Sequence, residues 1–298
     1  IASCLVGSEM CIETGPQQVS QKLHLPLADL SCSGEVTASY WKKNLGPYLG
    51  PRTQLVVISY GSNDMRVVAQ LATYNAHLGT GKKVQGRSRK DVEQSLITIL
   101  KDVRKRVPNA LILTVGYLPL VQEKHCVNLP NMTPFENTRV RHLREAADQA
   151  LTTASKTVAR MSEQQWKDNG VEVVSAGISN VPFRQVHGHD LCAMGHKRFI
   201  LNREKTGVRY HYTEPGLSYI ADHVAWKYLS EQLQWSRQMV ILAVSLLPAV
   251  AGNMKESPAR HEEVWQAAEC TRLESERPLT RTSCLLYTSD AADEGLGV

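Results

Sequence analysis

Thr53-Gln-Leu-Val-Val-Ile-Ser-Tyr60 is a short, nearly unbroken apolar and β-branched run that stops at Gly61, the pattern of a strand buried on both faces of a parallel sheet. The period then changes. Val92, Leu96, Ile99, Leu100 and Val103 recur at helical spacing, which predicts a helix from Asp91 to Arg106 with an acidic start and a basic last turn. Pro108 stops that helix, and Ala110-Leu-Ile-Leu-Thr-Val115 predicts the next strand, ahead of Gly116. A stretch rich in Ala, Arg, Glu and Gln predicts one long helix from about Thr133 to Gln165. Gly170 ends it, and Val171-Glu-Val-Val-Ser175 predicts a third strand. Pro215 fits the first turn of a final helix running from Glu214 through Leu229.

Strands alternating with long helices predict βαβ units, hence an α/β fold with a mainly parallel sheet between two helical layers. In such sheets a ligand sits beyond the C-terminal ends of the strands, so the residues just after each strand are the ones that matter. From Arg237 the pattern lapses. Met239 to Ala251 is apolar but too short to span a bilayer, so no stable membrane insertion is expected. Residues 253–283 have no counterpart in the alternation. The expected division is a domain over residues 1–235, an extension of undecided origin over 236–283, and a tail over 284–298.

Composition narrows the function. At 298 residues, 42% hydrophobic and 21% charged, the chain is an ordinary globular protein able to build its own core. Its net charge of +5 is modest, its densest basic run (Gly81 to Lys90) reads as a loop, and it has three Phe. A nucleic-acid protein would more often interleave a basic stripe with aromatics, so no nucleic-acid partner is expected. Seven cysteines without a CxxC pair or zinc spacing suit disulfides in an oxidising compartment, not a metal site.

Three strand-end or loop segments carry candidate chemistry: Asp29-Leu-Ser-Cys-Ser-Gly34, Tyr60-Gly-Ser-Asn-Asp64, and Tyr210-His-Tyr-Thr-Glu-Pro-Gly216. They suit acyl transfer from an ester. A serine nucleophile needs an imidazole to take its proton, and an ordinary imidazole, the side chain His211 offers, titrates near neutrality. It also needs preorganised donors for the developing oxyanion, and the Gly34 N–H and the Asn63 amide can each donate without a charge to desolvate. Plainer roles are an ordinary loop histidine at His211, an Asx-turn at Asn63 and Asp64, and a turn glycine at Gly34.

The same segments resemble the blocks of the SGNH (GDSL-type) hydrolases, a resemblance running from about Cys4 to Leu233. Ser-Cys-Ser-Gly34 is similar to the second block, Gly61-Ser-Asn63-Asp64 to the third, and His211, five residues ahead of Gly216, to the last, with Tyr212 where that block has proline. Gly116-Tyr-Leu-Pro119 and Gly188-His-Asp-Leu-Cys192 are similar to segments of its secreted lipase-like branch. The resemblance implies a flavodoxin-like α/β/α fold and a secreted, monomeric esterase or lipase acting on small-molecule or lipid esters with no cofactor. It implies His211 as general base, Gly34 and Asn63 as oxyanion donors, and bridges joining Cys32 to Cys11 or Cys4 and Cys126 to Cys192. His187 and His189 then belong to the loop around Cys192.

The chain departs from this pattern in two places. The Gly-Asp-Ser block that follows the first strand is absent, which leads us to expect that strand to lie before Ile1, the centre of the sheet to be incomplete, and the chain alone to be inactive. Val6-Gly-Ser8 is the one local candidate, but it lies too close to Gly34 and carries Glu9. The residue three before His211 is Val208 instead of aspartate, so the Val208 carbonyl is expected to orient the imidazole, with Asp190 and Glu214 as weaker substitutes. The tail Cys284-Leu-Leu-Tyr-Thr-Ser-Asp-Ala-Ala-Asp-Glu294 resembles a reading frame of the transposase adapter used in DNA sequencing, so residues 284–298 are expected to lie outside the fold. Alternatives to the esterase are a non-catalytic binding protein that keeps the cleft, and an acyltransferase.

Overall fold

A computed structural model describes residues 15–32, 34–76, 84–122, 126, 128–129, 131–171, 176–183, 186, 188–193, 197–200, 212–251 and 284–289. Five strands, β1 (Leu27–Asp29), β2 (Thr53–Ser59), β3 (Leu111–Val115), β4 (Ile178–Val181) and β5 (Cys284–Ser289), form one sheet in the order β1-β5-β2-β3-β4. Every pairing is parallel. Parallel strands need helical crossovers, and α1 (Gly15–Leu23), α2 (Ser39–Lys42), α3 (Val67–Asn75), α4 (Arg89–Arg106), α5 (Pro134–Ala159), α6 (Glu163–Asp168) and α7 (Glu214–Ala251) supply the helical part of the chain. The α/β class with a parallel sheet is the one expected.

The strongest apolar runs became the centre. Leu55, Val56 and Val57 of β2 and Ile112 and Leu113 of β3 are fully buried, and β3 has no exposed residue. Val92, Leu96, Ile99, Leu100 and Val103 all point into the core from α4, as their spacing predicts. Burying each such side chain contributes roughly 1.5–3 kcal/mol relative to exposure. The helix begins two residues earlier than expected because Ser88 caps it, its side chain accepting from the Asp91 N–H.

Elsewhere local chemistry overrode the simpler reading. The single helix expected over 133–165 is two. Thr133 and Glu136 form a capping box that starts α5, which ends at Ala159, and Ser162 and Gln165 form a second one that starts α6. Of the strand expected at 171–175, Val171 is buried and 172–175 lie outside the described residues. The strand that pairs with β3 is β4, whose Ile-Ser-Asn-Val sequence shows no apolar run. Its polar atoms are used instead: Asn180 Oδ1 accepts from the Thr114 hydroxyl at 2.8 Å, and its amide donates to Thr152 at 3.0 Å. The last helix continues past Leu229 to Ala251, and no described helix is long and apolar enough to cross a membrane.

The chain divides into a compact unit of residues 1–226 with 283–298 and a second of 227–282. Among the described residues the sheet runs without a gap from β1 to β4. Residues 284–289, set apart from the fold on sequence, form β5 between β1 and β2, with Leu286 level with both Ala28 and Val56.

Candidate active site at the C-terminal edge of the sheet

Because all strands run the same way, their C-terminal ends share one edge, and the segments after β1, β2 and β3 meet there. After β1, Asp29 Oδ1 accepts from both the N–H and the hydroxyl of Ser31, at 2.9 and 2.6 Å, turning the chain toward Gly34. Burial pushes the Asp29 carboxyl above its usual range, against those two hydrogen bonds. Gly34 has φ +77°, a left-handed conformation that favours glycine. After β2, Gly61 has φ +124° and Asn63 and Asp64 are buried.

Asn63 and Gly34 are brought together. One amide N–H of Asn63 donates to the carbonyl of Glu35 at 3.3 Å, laying the asparagine against the residue that follows Gly34. Asp64 clamps the same two segments. Its carboxylate accepts from the Thr37 N–H at 2.8 Å, the Thr37 hydroxyl at 2.7 Å and Arg87 Nη1 at 2.9 Å, while its side chain has no solvent exposure. The Arg87 N–H donates to the Asp64 carbonyl at 2.8 Å, and its guanidinium also reaches the Thr37 hydroxyl, the Asp91 carbonyl and the Ser95 hydroxyl. Sequence reading singled out Asn63 but missed Thr37 and Arg87, which lie 27 and 23 residues from Asp64.

The segment after β3 completes the edge. The Tyr117 hydroxyl accepts from the Ser62 N–H at 3.2 Å, and its own N–H donates to Asp148 Oδ1 at 2.9 Å. Arg144 Nη1 donates to Asp148 Oδ2 at 2.5 Å and to the carbonyls of Tyr117 and Phe183, both at 3.0 Å. Tyr117 thus ties the Asn63 loop to α5. Burial pushes the Asp148 carboxyl up to about 6, outweighing the Arg144 guanidinium and the Tyr117 N–H.

A stability consequence follows from Asp148. A folded-state value near 6 against an unfolded value near 3.8 means that the folded protein holds the extra proton between those pH values. This contribution is therefore complete below about pH 4 and lost as pH rises through 6, about 2–3 kcal/mol in all. Asp148→Asn is expected to remove that part of the decline. Urea unfolding of both proteins at pH 4 and pH 7 checks it, and an equal change in the two proteins would contradict it.

The segment preceding α7 is tied to residues 198–200 and to the first turn of the helix. Tyr212 pairs with Ile200 in an antiparallel bridge, the Thr213 N–H donates to the Phe199 carbonyl at 2.8 Å, and the Thr213 hydroxyl accepts from the Gly216 N–H. His211 and Val208, and with them the imidazole-orienting role expected of the Val208 carbonyl, lie outside the described residues, as do Ser8 and His187. Asp190, weighed as a substitute acid, is buried and accepts from the N–H groups of Gln122 and Cys192. Glu214 is exposed in the first turn of α7. The His189 ring stacks on Phe199 at 4.2 Å, and its Nδ1 lies 2.5 Å from the Lys197 carbonyl, consistent with a loop role. Cys126 is bonded to Cys192, the pairing the resemblance implies, and joins segments 66 residues apart. Cys32 is also disulfide-bonded, while Cys4 and Cys11 lie outside the described residues.

Among the described residues, no three His, Cys, Asp or Glu side chains gather as metal ligands. A cavity of about 850 Å³ lies between α5 and β4, lined by Arg144, Asp148, Thr152 and Asn180 among others. Neither Gly34 nor Asn63 borders it, so the site is assigned from the strand-end loops.

The profile of the GDSL-like lipase/acylhydrolase family matches residues 13–216, which include all three strand-end segments. Among solved structures the chain is similar to a phospholipase A1 from Streptomyces albidoflavus NA297, at 18% identity and a TM-score of 0.45, over 68% of this chain and 78% of that one. It is also similar to an extracellular lipase from Streptomyces rimosus, at 16% identity and a TM-score of 0.44, over 66% and 77%. No curated protein matches.

Proposed function

The chain belongs to the GDSL-like lipase/acylhydrolase family, and on that premise we propose that it is the greater part of a secreted carboxylic ester hydrolase working through a serine acyl-enzyme. His211 is the general base, oriented by the Val208 carbonyl, and Gly34 and Asn63 hold the oxyanion. The observation that supports this reading is the hydrogen bond from the Asn63 amide to the carbonyl of Glu35, the residue after Gly34, at 3.3 Å. Donors fixed before the reaction stabilise a developing oxyanion without reorganising, which is where most of their effect arises. Secretion is supported by the bonded Cys126, Cys192 and Cys32, since disulfides persist in oxidising compartments.

In this reading the serine attacks the ester carbonyl carbon while the imidazole takes the hydroxyl proton. The same imidazole returns that proton to the departing alcohol, and water then repeats the sequence on the acyl-enzyme. The 298 residues contain no Gly-Asp-Ser, so the nucleophile is assigned to a strand ending in that sequence and supplied ahead of Ile1.

Hydrolysis of p-nitrophenyl butyrate tests the assignment. The 298-residue chain is expected to show none above buffer. A chain carrying such a strand ahead of Ile1 is expected to hydrolyse the ester and to lose roughly 10³-fold or more in His211→Ala. Hydrolysis by the unextended chain that His211→Ala abolishes would locate the nucleophile within these residues. Activity in the extended chain that survives His211→Ala would remove the proposed base.

A further inference from the structure

The loop after β2 closes on itself through its carbonyls. Those of Gly61, Ser62 and Asn63 accept from the N–H groups of Met65, Val67 and Arg66, at 3.0, 3.1 and 3.1 Å. Gly61 takes a conformation that favours glycine, and a Cβ there would lie 3.1 Å from Val92 Cγ1. The Ser62 N–H instead reaches outside the loop and donates to the Tyr117 hydroxyl at 3.2 Å. Ser62, Asn63 and Tyr117 are all buried, and a buried donor is costly to leave without an acceptor.

Tyr117 is itself held through its backbone. Its N–H donates to Asp148 Oδ1 and its carbonyl accepts from Arg144 Nη1, two α5 side chains that are bonded to each other at 2.5 Å. Gly116 leaves room for this, since a Cβ there would lie 2.9 Å from Asp148 Oδ1. The phenol thus projects from a backbone pinned to α5. On the other side of Asn63, the Asp64 carboxylate is bound to Thr37 and Arg87. Asn63 therefore lies between two anchors, one tied to the segment after β3 and one to the segment after β1. An oxyanion donor must meet its acceptor within roughly 2.7–3.1 Å, a window that a residue fixed on one side only does not keep.

We propose that Tyr117 is a positioning residue: its hydroxyl fixes the Ser62 N–H and so aims the Asn63 amide at the oxyanion. The inference rests on the reading of Asn63 as an oxyanion donor and adds to it a residue that acts through that donor. A displaced donor weakens the transition state more than it weakens substrate binding, so the effect of Tyr117 falls on kcat. The same effect disappears where position 63 has no amide to aim.

Tyr117→Phe removes the hydroxyl and keeps the ring. In the 298-residue chain it is expected to speed hydrogen exchange of the Ser62 amide, read by NMR, by roughly tenfold or more while leaving Leu111–Val115 within about twofold. Exchange at Ser62 that is unchanged, or that rises only together with Leu111–Val115, overturns the proposal. Kinetics on p-nitrophenyl butyrate use the chain extended ahead of Ile1 by a strand ending in Gly-Asp-Ser. There Tyr117→Phe is expected to lower kcat roughly tenfold with KM within about twofold, and Asn63→Ala to lower kcat roughly a hundredfold. Adding Tyr117→Phe to Asn63→Ala is expected to change kcat by less than about twofold further. An unchanged kcat in Tyr117→Phe beside a loss in Asn63→Ala overturns the role of Tyr117 and leaves that of Asn63 standing. So does a full further tenfold loss in the double variant. An unchanged kcat in Asn63→Ala removes the oxyanion assignment, an extended chain without activity removes the esterase reading, and either overturns this inference with it.

Discussion

Replacing Asp64 with alanine is expected to destabilise the protein by about 3–5 kcal/mol, the scale for breaking a buried charged network by removing one partner. Three features make the loss large. The carboxylate has no solvent exposure, it accepts three hydrogen bonds, and two of those come from the N–H and hydroxyl of Thr37, which is itself buried. Alanine leaves the Thr37 N–H without its partner and without water to replace it, and an unpaired buried donor costs about 1–3 kcal/mol by itself. Arg87→Ala is a useful contrast. The Arg87 side chain is 41% exposed, so solvent can reach its part of the network, and a loss of about 1 kcal/mol is expected. Urea unfolding of the three proteins at neutral pH makes the comparison. A loss below about 1 kcal/mol for Asp64→Ala would show that the clamp between the two strand-end segments contributes little.

Arg104→Leu is expected to cost a similar amount, about 3–5 kcal/mol, for the opposite chemical reason. Arg104 is fully buried near the C-terminal end of α4, where the last helical carbonyls lack partners within the helix. Its guanidinium donates to the carbonyls of Val107, Pro108 and Ala110, and to Gly177 on the segment entering β4. Leucine fills the volume but takes this donor from the Pro108 and Ala110 carbonyls, while Val107 and Gly177 keep the N–H groups of Ala110 and Ile112. The cation itself is held at a cost, since burial lowers its pKa to about 10. Arg104→Lys carries the charge without the planar fork and cannot serve both the helix end and Gly177, so it is expected to recover less than half of the loss. Thermal and urea unfolding measure both variants. Full recovery by lysine would mean that charge, and not the fork, matters at this position.

The elements that announced themselves in the sequence are those whose environment is uniform. β2, β3 and α4 are buried along a whole face or on both, so their apolar periodicity alone identified them, and their bounds came within a residue or two. β4 was invisible because its polar side chains are satisfied by Thr114 and Thr152 in other elements. The break between α5 and α6 was written in Ser162 and Gln165, but a capping box inside a strongly helical stretch competes with continuation. Of the candidate site, Gly34 and Asn63 were identified from residue type and from their place after strands. Thr37, Arg87 and Asp148 were not, and Tyr117 stood out only within the Gly116–Pro119 segment, because each acts through a partner more than twenty residues away.

The sequence by itself determined the α/β class and the buried strands, and the family resemblance it carries implied the pairing of Cys126 with Cys192. These rest on residue type, on period, or on motifs that travel with a family. The tertiary structure alone decided which strand lies beside which, and so that residues 284–289 lie between β1 and β2. A parallel strand carries no mark of its neighbours. Its backbone can pair with any apolar segment of suitable length, and only the closing of the whole sheet selects one.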